Sequence, residues 1–350
     1  MNLFEELNNF EYKFPAPQYL GAKFSHLDWI GKYIPKSANV VLDAFSGSQS
    51  VAYYLKQLGK LVYTNDFLMF NHEIGLALIE NNCETLSQDD VKKLFSEAPN
   101  KSEFNLIENL FSNVFFSQED AIFLDNYRAN LSLMKNCYKK ALAFSIINRS
   151  MTRKVTMGHF AHTQALAYAQ NPDRIKRNRS LIRPLKDIFL DLWPSYNAAV
   201  FDNGKKNKSF NKNVFDILPN SDKIDMVYFD PPYCNSHPEY QNFYHLLETY
   251  TRYWKDKEFV NGIKRYEPQL YSGFEKKCDA ISSFERMFEA SRDIPYWLIS
   301  YNDRSYPAID DFMNLLSQYK KVKVVKKEYQ NSRGGKGSVA GSHEILFICT

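Results

Sequence analysis

A doubly wound, mostly parallel α/β sheet, interrupted by an inserted and mainly helical unit, is the fold this sequence predicts. Three observations carry it. Apolar strand runs alternate with helical stretches over 39–82. The same rhythm returns at 224–229 and 297–301, after a long polar stretch in which strand signal fades. Two late apolar runs, 322–325 and 344–348, read as a closing antiparallel pair.

The first unit runs from Asn39-Val40-Val41-Leu42-Asp43 through a loop, Ala44 to Ser48, into a helical stretch from Gln49 to Leu58 that Gly59 terminates. A second strand, Leu61 to Thr64, ends at Asn65-Asp66, and a helical stretch follows towards Asn82. From about 84 to 212 the text is helical and polar, with an Asn-Gly turn at 203 and 204. The reading therefore assigns 1–83 and 212–350 to one sheet domain and 84–211 to the insert.

Composition fits an ordinary globular chain, with 44% hydrophobic and 24% charged residues. The beginning, Met1 to Glu6, lacks a basic start followed by an apolar run, and no segment approaches the length of a membrane span, so a cytoplasmic protein is expected, with no membrane partner. Five scattered cysteines without a Cys-x-x-Cys pair argue against a disulfide framework and a thiolate metal site.

Net charge is only +4, but it is unevenly distributed. Between Arg149 and Lys212 thirteen Lys and Arg face four Asp, so the remainder of the chain is acidic. A basic segment of this kind is a footprint of nucleic-acid contact. Arg149, Arg153, Lys154, Arg174, Lys176, Arg177, Arg179 and Arg183 are its candidates, with Arg153-Lys154, beside Thr156 and His159, the first choice for a base contact. His159 and His162 have a spacing that could hold a metal, but no third ligand lies nearby and no metal is expected.

The chemistry concentrates at Asp230-Pro231-Pro232-Tyr233, which follows the strand 224–229. Open parallel sheets bind ligands at the carboxyl ends of their strands. The prolines fix φ and offer no amide donors, which leaves a rigid group of acceptors beside an aromatic ring. Such a group suits the exocyclic amine of adenine, whose lone pair is delocalised into the ring. The Asp230 carboxylate and the Pro231 carbonyl could accept both amine protons and aim the nitrogen at an electrophile. Tyr233 offers a stacking face for a base taken out of a duplex.

Two further strand ends point to a ligand. Asp43-Ala44-Phe45-Ser46-Gly47-Ser48 supplies a Gly-containing turn that lacks the Gly-x-Gly-x-x-Gly fingerprint, which disfavours nicotinamide binding. Asp66 stands where an acid accepts ribose hydroxyls, although a helix cap is its bland alternative. Ser332 to Gly341 is not a nucleotide-binding P-loop, because Gln330 and Gly337 occupy positions that need Gly and Ser or Thr. It reads as a mobile loop and a candidate DNA contact. Tyr240 and Tyr244, in an aromatic-rich helix after the Pro-Pro motif, are candidates to border the base.

In these motifs the chain resembles the amino-type adenine DNA methyltransferases, specifically the subgroup similar to the bacterial DNA adenine methylase, over roughly 18–82 and 212–348. Gln18-Tyr19-Leu20-Gly21-Ala22-Lys23 resembles the family's opening motif, which implies that Tyr19 and Lys23 help to hold the methionine end of a cofactor. The loop Asp43 to Ser48 resembles its cofactor loop, and Asn65-Asp66 its ribose-binding acid. Asn213-Val214-Phe215-Asp216 resembles the motif lining the cofactor's adenine, Asp230 to Tyr233 the catalytic signature, and Ser300-Tyr301-Asn302 a later strand motif. The resemblance implies S-adenosylmethionine as cofactor and double-stranded DNA as partner, with recognition by the basic insert. It also implies a site-specific adenine N6-methyltransferase of a restriction-modification or orphan system, with a nuclease of the same site as a further partner in the first case. An RNA adenine methyltransferase and a non-catalytic DNA-binding subunit are the alternatives. The cytosine amine is disfavoured, since the related motif begins with Ser.

Overall fold

The computed structural model of the protein describes residues 10, 12–156, 158–161, 164–218, 223–234, 240–255, 257–260, 264–267, 271–329 and 342–350. Its centre is a seven-stranded sheet of β1 (Val40–Asp43), β2 (Leu61–Asn65), β3 (Lys208–Phe210), β4 (Met226–Phe229), β5 (Tyr296–Asn302), β6 (Val322–Tyr329) and β7 (Ser342–Cys349), in the order β3-β2-β1-β4-β5-β7-β6. The first five strands are parallel, whereas β7 runs against both β5 and β6.

Period-two alternation separates two cores. Val41, Met226 and Leu298 face one, and Leu42, Val227 and Trp297 face the other. Parallel strands need cover on both faces. On the second face Ala280, Phe284, Met287 and Phe288 form the apolar stripe of helix Lys277–Ala290, and Phe312, Leu315 and Leu316 that of helix Ile309–Leu316. On the first face helices Ser50–Gln57, Met69–Gly75 and Cys137–Arg153 supply the cover. Among the described residues no helix is long and apolar enough to cross a membrane.

Two features lie beyond the sequence reading. The edge strand β3 falls inside the stretch where strand signal fades, and it pairs parallel with β2 through Tyr63 and Lys208. The helices between 88 and 198 share a core with the sheet, since Val91, Leu124, Ile146 and Phe189 belong to the same cluster as Val41 and Met226.

The chain runs outward from β1 to β2 and β3, then returns to place β4 on the other side of β1. Strand order reverses between β1 and β4, and a crevice opens at their carboxyl ends. Asp43 ends β1, Asp66 follows β2 and Asp230 follows β4, so the fold brings these three acids to one rim.

Candidate active site

The loop after β1 is built to let a ligand approach its backbone. Gly47 has φ +46°, and a Cβ there would lie 3.1 Å from the Tyr19 ring. The Ser46 hydroxyl lies 3.0 Å from the carbonyls of both Asp43 and Asn65, and it also accepts the Asn65 amide, which fastens the loop to β2. Ser46 is thus a brace of the site. Gly21, at φ +74°, has the Tyr240 hydroxyl 2.7 Å from where its Cβ would stand, so the opening segment passes close under that ring.

These elements surround a cleft of about 750 Å³, counted to its open mouth, within the range of small-molecule sites. Tyr19, Lys23, Asp43 and Phe45 line it. Ser46, Gly47, Ser48 and Asp66 complete the expected cofactor set on its wall, and Asp230 and Pro232 close the opposite side. The Tyr19 ring stacks between Tyr240 and Tyr244, with centroids 5.6 and 4.7 Å away. Tyr240 faces the cleft, whereas Tyr244 is buried and accepts the Leu20 amide at 2.8 Å, so of the two base-bordering candidates Tyr244 is structural.

Asp43 is 1% exposed, and its carboxylate meets no cation among the described residues, although the backbone amides of Phe45 and Ala52 lie against it. Burial, followed by the neighbouring Asp230 and Asp66, holds its carboxyl well above the usual range. A buried carboxylate that no cation answers is costly, and a cationic group in the cleft would offset that cost.

Asp66 accepts the Gly47 amide on one oxygen and the Leu68 amide on the other, each at 2.8 Å. Burial pushes its carboxyl up to about 6, against the opposing pull of these amides. The Asn71 side chain also lies against this carboxylate, which keeps lone-pair capacity for a further donor.

Lys23 Nζ lies 3.0 and 2.9 Å from the two Asp230 oxygens and 3.3 Å from Glu344 Oε1, and it donates to the Gly21 carbonyl at 3.1 Å. The Tyr233 hydroxyl sits between Asp230 Oδ1 and the Ser300 carbonyl, and its ring meets Tyr301 edge-on. Three carboxylates line the cleft, with Glu344 behind Lys23, against the ammonium groups of Lys23 and Lys212. This acidic surplus favours a ligand of net positive charge.

Several expectations need correction. Phe215 and Asp216 do not line the cleft. Asn213 caps the short helix Val214–Ile217, which turns Phe215 onto Phe274 at 6.0 Å and under the Arg286 guanidinium at 4.0 Å, while Asp216 is exposed. Asn213, Val214 and the preceding Lys212 line the wall instead, together with Phe67 and Ser272. Phe67 adjoins Asp66 and was within reach of sequence reasoning; Ser272 follows an unremarkable stretch.

Lys154 is buried with Asp120, 2.8 Å from its carboxylate, and donates to the Arg183 carbonyl at 2.7 Å, so it is removed from the base-contact candidates. Arg183 pairs with Asp191, and half-buried Arg149 donates to Gln18 and Thr152. Arg153 is half-buried at the end of its helix. Arg174, Lys176, Arg177 and Arg179 are exposed on helix Pro172–Arg177 and the turn after it. His159 is buried edge-on to Phe243, while His162 and the glycine-rich segment 332–341 lie outside the described residues.

A family model described as "D12 class N6 adenine-specific DNA methyltransferase" matches residues 19–315. The chain is 33% identical over 343 residues to the Type II methyltransferase M2.HphI of Haemophilus parahaemolyticus, covering 96% of this chain and 98% of that one. It is 25% identical to the modification methylase LlaI of Lactococcus lactis subsp. lactis and 27% identical to the modification methylase StsI of Streptococcus sanguinis, covering 94% of this chain in each case. It spans 53% and 51%, about half, of those two longer proteins.

Proposed function

From the premise that the chain belongs to the D12 class of N6 adenine-specific DNA methyltransferases, we propose that its cleft binds S-adenosylmethionine and that Asp230 and Pro231 hold the amine of a flipped-out adenine beside it. The observation that carries this reading is the pairing, in one cleft, of the buried Asp43 carboxylate, which no cation answers, with the acid of the Pro-Pro motif.

The residues fit the cofactor. Asp43 would meet its ammonium group and Asp66 its ribose hydroxyls, while the three donors of Lys23 are already taken by Asp230, Glu344 and the Gly21 carbonyl. The acidic surplus of the cleft suits a ligand that carries both a sulfonium and an ammonium. When bound, S-adenosylmethionine supplies an electrophilic methyl group. Asp230 and the Pro231 carbonyl accept the two amine protons, localise the nitrogen lone pair and orient it. When the nitrogen takes the methyl group, sulfur would keep the electron pair of the broken carbon–sulfur bond, and the amine would give up one proton, for which the Asp230 carboxylate is placed as acceptor. Tyr233 and Tyr240 flank the base, which leaves its stack at a cost of a few kcal/mol. The family assignment favours DNA over the RNA alternative.

The ribose role of Asp66 sets a pH dependence. Its folded-state carboxyl titrates near 6, above the ordinary value, so the unliganded fold loses stability as pH rises from about 4 through 6, by on the order of 3 kcal/mol. Ribose hydroxyls donate to the ionised form and offset that cost. Cofactor affinity should therefore weaken as pH falls through 6, Asp66 contributing up to about tenfold per pH unit, with the raised Asp43 carboxyl adding its own dependence. Calorimetric titration between pH 5 and 8 measures it. Asp66→Asn should raise Kd about ten- to a hundredfold and remove the part of the slope centred near pH 6. An unchanged affinity would leave Asp66 as a brace for Gly47 and Leu68 alone.

The exposed arginines and lysine of 174–179 are the proposed DNA contacts, in the mainly helical stretch that precedes the edge strand β3. Each phosphate contact contributes about 0.9 to the slope of log affinity against log salt. Replacing Arg174, Lys176, Arg177 and Arg179 together by Gln should flatten that slope by roughly 3 to 4. Titrations of duplex DNA at several salt concentrations measure it, and an unaltered slope removes the helix from the interface.

The names of the relatives support a place in a restriction-modification system, with a nuclease of the same site as partner. Sequencing the methylated positions in DNA from cells expressing the protein tests the whole reading at once, since it yields base, strand and site. Methylated cytosine, or no modified adenine, would overturn it.

A further inference from the structure

Glu344 is a charged side chain at the head of an otherwise apolar run, Ile345-Leu346-Phe347-Ile348, in the strand that lies between β5 and β6. It pairs with Asn302 at the carboxyl end of β5, and it is 6% exposed. An acid in that setting is costly unless a cation answers it. The cation is Lys23, itself 7% exposed, whose Nζ lies 3.3 Å from Glu344 Oε1 and about equally close to both oxygens of Asp230. One ammonium therefore serves two carboxylates, and only one of them lines the cleft.

We propose that Glu344 is a positioning residue for methyl transfer: by sharing the Lys23 ammonium, it keeps Asp230 a strong acceptor for the adenine amine. The inference rests on the reading of Asp230 given above. An ammonium held by Asp230 alone draws electron density from the carboxylate that, with the Pro231 carbonyl, must accept the amine protons and localise the lone pair. Glu344 competes for that ammonium from the side away from the cleft. It touches no substrate, and its effect passes through Lys23. The Gly21 carbonyl, 3.1 Å from Nζ, fixes the third direction of the ammonium, so Lys23 is held by three acceptors on three segments of the fold.

The test is single-turnover methyl transfer by the full chain at saturating S-adenosylmethionine and saturating duplex carrying its mapped site. Glu344→Gln should slow the step about ten- to a hundredfold, less than the loss of a group in direct contact with the reacting atoms. The dissociation constants of cofactor and duplex should stay within about twofold, because neither ligand meets Glu344. In a Lys23→Met background, adding Glu344→Gln should slow the step no further. A Glu344→Gln rate within about threefold of wild type overturns the proposal, as does an equal further loss in the Lys23→Met background. A rate loss that follows a lowered melting temperature, and that Glu344→Asp does not reverse, assigns Glu344 to packing and likewise overturns it. Asp230→Ala serves as control. If it remains active, the reading of Asp230 fails; if it is inactive while Glu344→Gln behaves as wild type, the role of Glu344 alone fails.

Discussion

Replacing Asp230 by Ala should slow methyl transfer at least about thirtyfold and leave the affinity for S-adenosylmethionine within about threefold of wild type, because the lost carboxylate is proposed to hold the adenine amine and not the cofactor. Loss of one charged, preorganised acceptor from a partly dry site costs roughly 2 to 4 kcal/mol or more, which is about thirty- to a thousandfold in rate. The geometry makes the two effects separable. Asp43 and Asp66 sit on the β1 and β2 side of the cleft, whereas Asp230 sits on the β4 side with Lys23 and the Tyr233 hydroxyl. Asp230→Ala also frees Lys23, which keeps Glu344 and the Gly21 carbonyl as partners, so the ammonium is not left unpaired. Asp230→Asn tests the charge alone, since it preserves shape and one acceptor oxygen. Calorimetry and a methylation assay on the same preparations measure both quantities. Activity of Asp230→Ala within tenfold of wild type would falsify the assignment.

What could be read from the sequence was what depends on short range. Each of β1, β2, β4 and β5 is a compact apolar run, and a ligand-bearing loop after such a run needs only neighbouring residues to be visible. The cleft-lining residues 43, 45–48 and 66 follow from that, and Tyr19 and Lys23 from the resemblance of 18–23 to a known motif. What failed depends on partners distant in the chain. β3 has three residues, Lys208-Ser209-Phe210, too few for any period, and it becomes a strand only because β2 offers an edge. Phe215 was placed in the cleft by its motif, yet the Asn213 cap sets the helix so that the ring stacks on Phe274, 59 residues away. Glu344 carried a signal, one acid heading an apolar strand, but the ammonium that answers it lies more than 300 residues earlier.

The largest stability effect should come from Lys154, whose charge reads in the sequence as a DNA contact. Its ammonium and the Asp120 carboxylate are each 8% exposed and lie 2.8 Å apart. Asp120 also accepts the Leu185 amide at 2.8 Å, and Lys154 donates to the Arg183 carbonyl, so the pair ties the end of helix Cys137–Arg153 and the start of helix Leu185–Ala198 to helix Gln118–Ser132. Removing one partner of a buried pair leaves the other charge without an answer and costs about 3 to 5 kcal/mol, far more than the 0 to 1 kcal/mol of an exposed pair. Lys154→Met should therefore lower the melting temperature by on the order of 10 °C. The double change Lys154→Met with Asp120→Leu removes both charges and should recover much of that loss, because a buried pair and an apolar replacement of similar volume are often equivalent. The salt dependence of DNA affinity should not change in Lys154→Met, since Asp120 already neutralises the ammonium and no phosphate can reach it. Thermal unfolding and DNA titration on the same variant decide between the two roles: a flattened salt slope with unchanged stability returns Lys154 to the DNA interface, and a lowered melting temperature with an intact slope keeps it in the core.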